Sequence, residues 1–424
     1  MNSTTPKDPS AAAPRLAYLL SQYPAVSHTF LLDEVTGLRQ MGFTIETASI
    51  NNAGNERPLT PVETAAANST FYVKSQGPLR ALGVVLRTLF TRPLVFFRGL
   101  IAASAGVGVD PYKILFGIFY FTEAMLIADW MQKRDLHHLH IHFGGSVSDI
   151  GRIAGLAAKI PYSVTFHGPG EFFDQTEFLI RQKAEDAAFT FCVSDHGRGA
   201  VMRNVAPKHW PRIHTARLGV DTSLFVARTP RSIAVPVQIL CVGRLVPIKG
   251  QRVLLEAAGL LAARGHNLHI TYIGDGPDTA ELITCAAKLG LEDSVYFLGS
   301  LTHAEIRTRL AEADVFVLPS FAEGIPVALM EAMATQLAVV STWTSGIPEL
   351  ITHDVDGLLV QPGSIDQLTE ALESLLTSPQ LRGRLGLAAR QRVLRAYEQR
   401  TNLALTADLL RKYIVPSSET ASPK

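Results

Sequence analysis

The chain has 424 residues, with 39 lysines and arginines against 38 aspartates and glutamates for a formal net charge of +1. That length accommodates two domains with full cores, and the near-neutral balance gives nucleic acid no basic footprint to bind. The three cysteines (Cys192, Cys241, Cys285) form neither a C-x-x-C pair nor a disulfide framework, so they read as buried core thiols in a reducing cytoplasm.

Residues 1–14 are rich in Ser, Thr, Pro and Ala and lack an apolar stretch, which predicts a disordered extension and no signal peptide. Arg15 to Leu20 is a first strand, Thr29 to Gln40 a helix, and Phe43 to Ile50 alternates as a strand does. Two apolar stretches follow. Leu79 to Ile101 is interrupted by Arg80, Arg87, Arg92, Pro93 and Arg98, and Ile114 to Met131 by Glu123 and Asp129. Neither is a clean span of about twenty apolar residues, so a transmembrane helix is not expected. The pair reads either as a helical hairpin packed on the first domain or as a basic amphipathic pair lying against anionic lipid at the inner face of the membrane.

Strands are expected at His138 to Phe143, Tyr162 to Phe166, Ala188 to Val193 and Arg212 to Ala216. After a Pro-containing polar linker, Val226 to Pro236, the rhythm restarts with Val237 to Val242, Asn267 to Ile273, Ser294 to Leu298, Val315 to Pro319 and Ala338 to Ser341. Strands separated by helices throughout predict an α/β fold of two doubly wound Rossmann-like domains facing across a cleft. On the first histidine-rich strand, His138, His140 and His142 share a face. Three ligands along an extended strand lie too far apart to converge on one ion, and no acidic or Cys residue adjoins them, so no metal is expected.

The segment Phe321-Ala-Glu323-Gly324-Ile325-Pro326-Val327-Ala-Leu-Met-Glu331 carries the most chemistry. A buried strand empties into a Gly-containing loop, and Pro326 falls where the first helical residue is expected. The amides around Gly324 and Ile325 therefore sit at a helix N-terminus beyond the carboxyl edge of a sheet, a position suited to a phosphate or a sugar hydroxyl. Glu323 precedes this helix and Glu331 lies about two turns in. Carboxylates would repel a phosphate, so hydroxyl binding suits them better, a sugar at one end and a ribose at the other. Upstream, Arg244 and Lys249 follow the strand ending at Val242. By composition they are two solvated loop charges; by position they are a clamp for a diphosphate. Gly274-Asp275-Gly276-Pro277 lacks the third glycine of a dinucleotide fingerprint and fails as a cofactor motif.

The E-x7-E spacing after a PS-x-x-E-G-x-P loop resembles the retaining glycosyltransferases of the GT4 group, which have the GT-B fold. The resemblance extends through Val242-Gly-Arg244-Leu-Val-Pro-Ile-Lys249-Gly250, Ile273-Gly-Asp-Gly-Pro277, Phe297-Leu-Gly299-Ser-Leu301 and Gly346-Ile-Pro-Glu-Leu350. It implies a first, acceptor-side domain at 15–228, a nucleotide-sugar domain at 229–398 and a helix at 399–415 crossing back to the first domain; the tail at 416–424 reads as loose from its own composition, like residues 1–14. It further implies that Arg244 and Lys249 hold the departing diphosphate and that Glu331 binds ribose. Glu323 would bind the donor sugar with help from the backbone of Gly324, Ile325, Pro326 and Val327. Gly299 and Leu301 would approach the base. No cofactor and no metal are implied; the donor is a sugar nucleotide and the acceptor a glycan or a lipid-linked sugar.

On the first domain, the resemblance assigns His167 of a His-Gly pair to the donor sugar, and His142 and Gly144 to the acceptor side. An acidic residue is frequent after His-Gly-x; here Gly170 takes that place and Glu171 follows, which carries Glu171 over as a further acceptor-side residue. Ile248 likewise stands where an acidic residue is common. The first loop, Tyr23-Pro-x-x-Ser27-x-Thr-Phe30, resembles a subgroup that assembles exopolysaccharide and colanic-acid-type polymers, and adds Ser27 to the acceptor side. Two alternatives remain open: a sugar-nucleotide-binding protein without catalysis, and a sugar-nucleotide epimerase of the same fold.

Overall fold

The computed structural model describes residues 15–25, 29–54, 58–104, 110–168, 170–173, 179–228 and 236–414. The expected extension, most of the interdomain linker, Ser27 and the C-terminal tail lie outside them.

Two all-parallel sheets organise the chain. The first contains β1 (Arg15–Gln22), β2 (Thr44–Asn51), β3 (Phe71–Tyr72), β4 (His138–His142), β5 (Tyr162–Phe166), β6 (Phe189–Cys192) and β7 (Ile213–Thr215), in the order β3-β2-β1-β4-β5-β6-β7. The second contains β8 (Val237–Val242), β9 (Leu268–Ile273), β10 (Val295–Phe297), β11 (Val315–Leu318), β12 (Ala338–Thr342) and β13 (Leu358–Val360), in the order β10-β9-β8-β11-β12-β13. β4, β5 and β11 are wholly buried and β1 is buried from Leu16 to Leu20, as strands covered by helices on both faces must be. Each sheet reverses its winding once, between β1 and β4 and between β8 and β11. At those two switch points the strand-end loops diverge and leave a crevice. The fold is the doubly wound pair that the resemblance implies.

β3 and β13 were not legible as strands: at two and three residues they are too short to show a period. The two apolar stretches become three helices, Pro78–Thr91, Pro93–Ser104 and Pro111–Lys133. Pro93 has no N–H to continue the first helix and starts the second. Their inner faces join the core under β1 and β4 through Val84, Ala102, Phe121, Met125 and Trp130, so the hairpin reading holds for the inner side. Arg87, Arg92 and Lys133 converge on the buried Asp129.

The chain passes between domains twice at one place. Val220 N–H donates to Tyr397 O (3.0 Å) and Gln399 N–H to Val220 O (3.1 Å). Val220 and Phe225 already pack in the second domain's core, upstream of the linker seen in the sequence. The last helix, Gln399–Ile414, lies on the first domain: Ala407 and Leu410 pack against Leu31, Val35 and Leu38, and Tyr413 Oη is 2.7 Å from His214 Nε2. Cys192 and Cys241 are buried, Cys285 is partly so, and none is paired.

Candidate functional site

The loops after β8 and β11 interlock. Phe321 N–H donates to Ile248 O (2.8 Å), and Leu245 N–H donates to Asp275 O (2.9 Å) on the turn after β9. Gly250, at φ +67°, lets the first loop reach the second: a Cβ there would stand 2.2 Å from Pro319 O. This packing fixes the short turn Pro247–Lys249 against Glu323. Lys249 Nζ donates to Glu323 Oε1 at 2.5 Å, and Ser320 Oγ donates to the same oxygen at 2.7 Å. Glu323 is buried, so its charge requires these partners. Arg244, five residues before Lys249 in the same loop, is exposed and has no hydrogen bond or ion pair to its guanidinium among the described residues, while Gln251 Nε2 holds its carbonyl at 2.8 Å.

The helix after this loop runs Val327–Ala334. Pro326 is its N-cap, with extended ψ of 118°, and stands one residue ahead of the expected position. Glu331 is consequently about one turn into the helix, closer to the loop than the sequence suggested. Ile325 buries its side chain in the second domain's core, leaving only its backbone for a ligand. Glu331 faces His303 Nδ1 at 3.6 Å, and His303 Nε2 lies 2.9 Å from Thr29 Oγ1 of the first domain. The contact to Glu331 raises the His303 pKa, against the opposing effect of burial. Sequence reading did not find His303. Its signal was the capping box Thr302–Glu305, which fixes where its helix begins. Gly299, at φ +67°, accepts Gly274 N–H through its carbonyl, and Leu301 packs against the same core as Ile325.

The first domain presents the loops after β4 and β5. Glu171, expected on the acceptor side, accepts backbone N–H groups from His167 (2.6 Å), Gly168 (3.0 Å) and Gly144. Burial raises its pKa and those amides act in the opposite sense. The carboxylate thus staples the two loops together. The buried Lys183 completes the staple, donating from Nζ to Gly144 O (2.7 Å) and to Asp149 (2.9 Å). Phe143, between β4 and Gly144, adopts φ +75°, a conformation unfavourable for a bulky residue and held by this network. The His167 ring packs on Phe143 and Phe30, with Nε2 2.9 Å from His142 Nδ1. Behind it, His142 Nε2 is 3.5 Å from Glu34 Oε1, which also accepts the Tyr18 hydroxyl at 2.9 Å. His142 is fully buried, one step behind His167.

Glu34, brought by the helix Thr29–Gln40, supplies the acidic neighbour that sequence proximity did not, and ligand atoms of Glu34, His140 and His142 lie within 4.8 Å of one another. His140 nevertheless has both nitrogens engaged, with Ser163 Oγ at 2.7 Å and Thr165 Oγ1 at 3.0 Å.

The two halves meet at backbone. A Cβ on Gly324 would lie 2.0 Å from His167 O, across the cleft. Nearby, Glu349 accepts N–H groups from Asp195 (2.9 Å) and His196 (2.7 Å) at the start of the helix Asp195–Asn204, and Arg217 lies 3.4 Å from it. The cleft therefore gathers Lys249, Glu323, Gly324, Glu331 and His167, with Arg244 on the same loop as Lys249 and with His142 and Glu171 behind His167.

Residues 232–392 match the family described as Glycosyl transferases group 1. The amylovoran biosynthesis glycosyltransferase AmsK of Erwinia amylovora is 27% identical over 416 residues, spanning 94% of this chain and 99% of that protein. The putative colanic acid biosynthesis glycosyltransferase WcaL of Escherichia coli (strain K12) is 28% identical over 391 residues, 84% of this chain and 89% of that one. Among solved structures, sucrose-phosphate synthase from Thermosynechococcus elongatus superposes with a TM-score of 0.74 at 17% identity, covering 94% of this chain and 98% of that one. Anabaena Alr3699/HepE in complex with UDP and glucose gives 0.71 at 18%, covering 94% and 100%. These two structures share the fold.

Proposed function

The chain carries a group 1 glycosyl transferase domain over residues 232–392, and from that premise we propose that it transfers a sugar from a nucleotide diphosphate donor to an acceptor hydroxyl with retention at the anomeric carbon. The observation that carries the reading is the cluster at the second sheet's switch point: Lys249 bonded to Glu323 at 2.5 Å, with Arg244 exposed in the same loop as Lys249 and without an ion-pair partner among the described residues. A diphosphate entering between Arg244 and Lys249 takes Lys249 from Glu323, and the freed carboxylate oxygen then accepts a sugar hydroxyl. Glu331, with His303 alongside, binds the ribose diol.

In the transfer step the acceptor oxygen bonds to the anomeric carbon as the carbon–phosphate-oxygen bond breaks, on the same face. The electron pair leaves with the diphosphate, and the acceptor's proton passes to the departing phosphate oxygen. Arg244 and Lys249 stabilise the charge that develops there. His167, fixed by Glu171 through its amide and by His142 through its ring, borders the donor sugar from the opposite domain. No step calls for a metal. The relatives named for amylovoran and colanic acid biosynthesis support a place in surface-polymer assembly.

Titration calorimetry with UDP, GDP and ADP, on the wild type and Glu331→Ala, tests the donor site. Saturable binding of one nucleotide, weakened in the variant, is the expected result; no binding by the folded protein refutes it. Product NMR then reads the anomer, and an inverted product removes the same-face step. Turnover of donor sugar without any acceptor would return the epimerase.

A further inference from the structure

We propose that the helices Pro78–Thr91, Pro93–Ser104 and the first half of Pro111–Lys133 form a docking face that inserts into one leaflet of an anionic membrane. Fourteen of the twenty-nine large apolar side chains exposed among the described residues fall between Leu79 and Phe119. Leu79, Phe90, Leu94 and Ile101 are each at least two-thirds exposed. Scattered exposed leucines need no partner, but a contiguous concentration of this kind marks an interaction surface. An apolar cavity of about 760 Å³ opens among the same helices, lined by Leu82, Leu100, Ile118 and Phe119 together with Lys74 and Glu123.

Charge selects the occupant. Residues 78–104 contain four arginines and no acid. Arg87 and Arg92 turn to Asp129, whereas Arg80, Arg98 and Lys113 have no ion-pair partner among the described residues. A second copy of the chain docked face to face would bring these cations together and repel. A surface that is apolar inside and anionic at its rim matches both features at once.

Length sets the depth. Pro111–Lys133 is long and apolar enough to cross a bilayer, but its second half is buried in the first domain's core. The exposed part, Pro111 to Phe119, is about 14 Å long at 1.5 Å per residue, near half of a hydrocarbon core of roughly 30 Å. It enters one leaflet and cannot span. Val73 and Lys74 stand beyond β3, and Lys74 Nζ bonds Asn51 at the carboxyl end of β2 (2.8 Å). The docking face thus borders the edge of the first sheet that carries the acceptor-side loops.

The test is co-sedimentation of the full chain with phosphatidylcholine vesicles, with and without about one-third phosphatidylglycerol, for the wild type and a Leu79→Ser/Phe90→Ser/Ile101→Ser variant. The wild type should partition about tenfold or more better onto anionic vesicles, and the variant should lose at least about tenfold of that. Because the three side chains are exposed, melting temperature and nucleotide affinity should not change. Equal partition of the two proteins, equal partition onto neutral vesicles, or no partition by folded wild type would overturn the proposal. So would a concentration-dependent dimer, seen by sedimentation equilibrium, that the variant abolishes.

Discussion

Gly324→Ala isolates the contact between the two domains. The added methyl would stand 2.0 Å from the His167 carbonyl oxygen and 3.1 Å from a Val193 methyl. A carbon meets a carbonyl oxygen no closer than about 3.3 Å, so the loops must part by roughly 1.3 Å. The oxygen belongs to backbone held by Glu171 through the adjoining amides and cannot swing aside. A misplacement of this size between reacting groups costs on the order of a hundredfold in rate. The variant should therefore lose about a hundredfold in kcat while binding nucleoside diphosphate within about threefold of wild type, because Arg244, Lys249 and Glu331 all lie on the second domain. Its melting temperature should move little, since parting the cleft exposes no core. Steady-state kinetics with calorimetry on the same preparation reads both quantities. A variant with wild-type kcat, or one whose loss is entirely in nucleotide affinity, refutes closure through this contact.

Removing Lys249 leaves Glu323 buried with Ser320 as its one side-chain partner among the described residues, so Lys249→Ala should lower unfolding free energy by about 1–3 kcal/mol in urea titrations. Arg244→Ala should leave stability unchanged yet weaken nucleoside diphosphate binding about tenfold or more; equal affinity would remove Arg244 from the clamp. Burial raises the Glu34 pKa from 4.5 to about 7, against the opposing effect of the Tyr18 hydrogen bond. Between those values the folded state holds a proton that the unfolded chain has lost, so stability falls as pH rises, by up to about 1.4 kcal/mol per unit. Glu34→Gln should flatten that slope between pH 5 and 7, and an unchanged slope would place the titration elsewhere. Glu349→Ala removes both acceptors for the Asp195 and His196 amides and should lower kcat/KM about tenfold, whereas Glu349→Gln, which keeps one acceptor oxygen, should recover only part of it; wild-type kcat/KM in the alanine variant would remove this contact from closure.

Most of the fold was legible because each strand is a local signal, with apolar runs bounded by turn residues and separated by helical periods. β3 and β13 escaped because two or three residues carry no period. The donor side was legible for the same local reason: Arg244 and Lys249 lie in one loop, and Glu323 to Glu331 in one strand-loop-helix unit. What failed were pairings across sequence. His303 meets Glu331 and Thr29 from a different helix, and Glu349 reaches the helix Asp195–Asn204 from the other domain. Neither distance is written in spacing. Glu171 illustrates the harder case, since its position suggested a ligand while its burial makes it a staple for loop amides.

That staple also explains how the two domains divide the work. On the second domain, charged side chains face the cleft and can exchange partners, as Lys249 and Glu323 would when a diphosphate arrives. On the first, the charged groups Glu171 and Lys183 are turned inward onto the backbone of residues 144–145 and 167–168, fixing its height. At Gly324 the first domain thus presents the His167 carbonyl, with the His167 ring held against Phe143 and Phe30 beside it. A rigid backbone wall opposite a loop whose charged groups can exchange partners lets closure position a sugar at a fixed height. This division requires a residue without a side chain where the walls touch, which is the place Gly324 occupies.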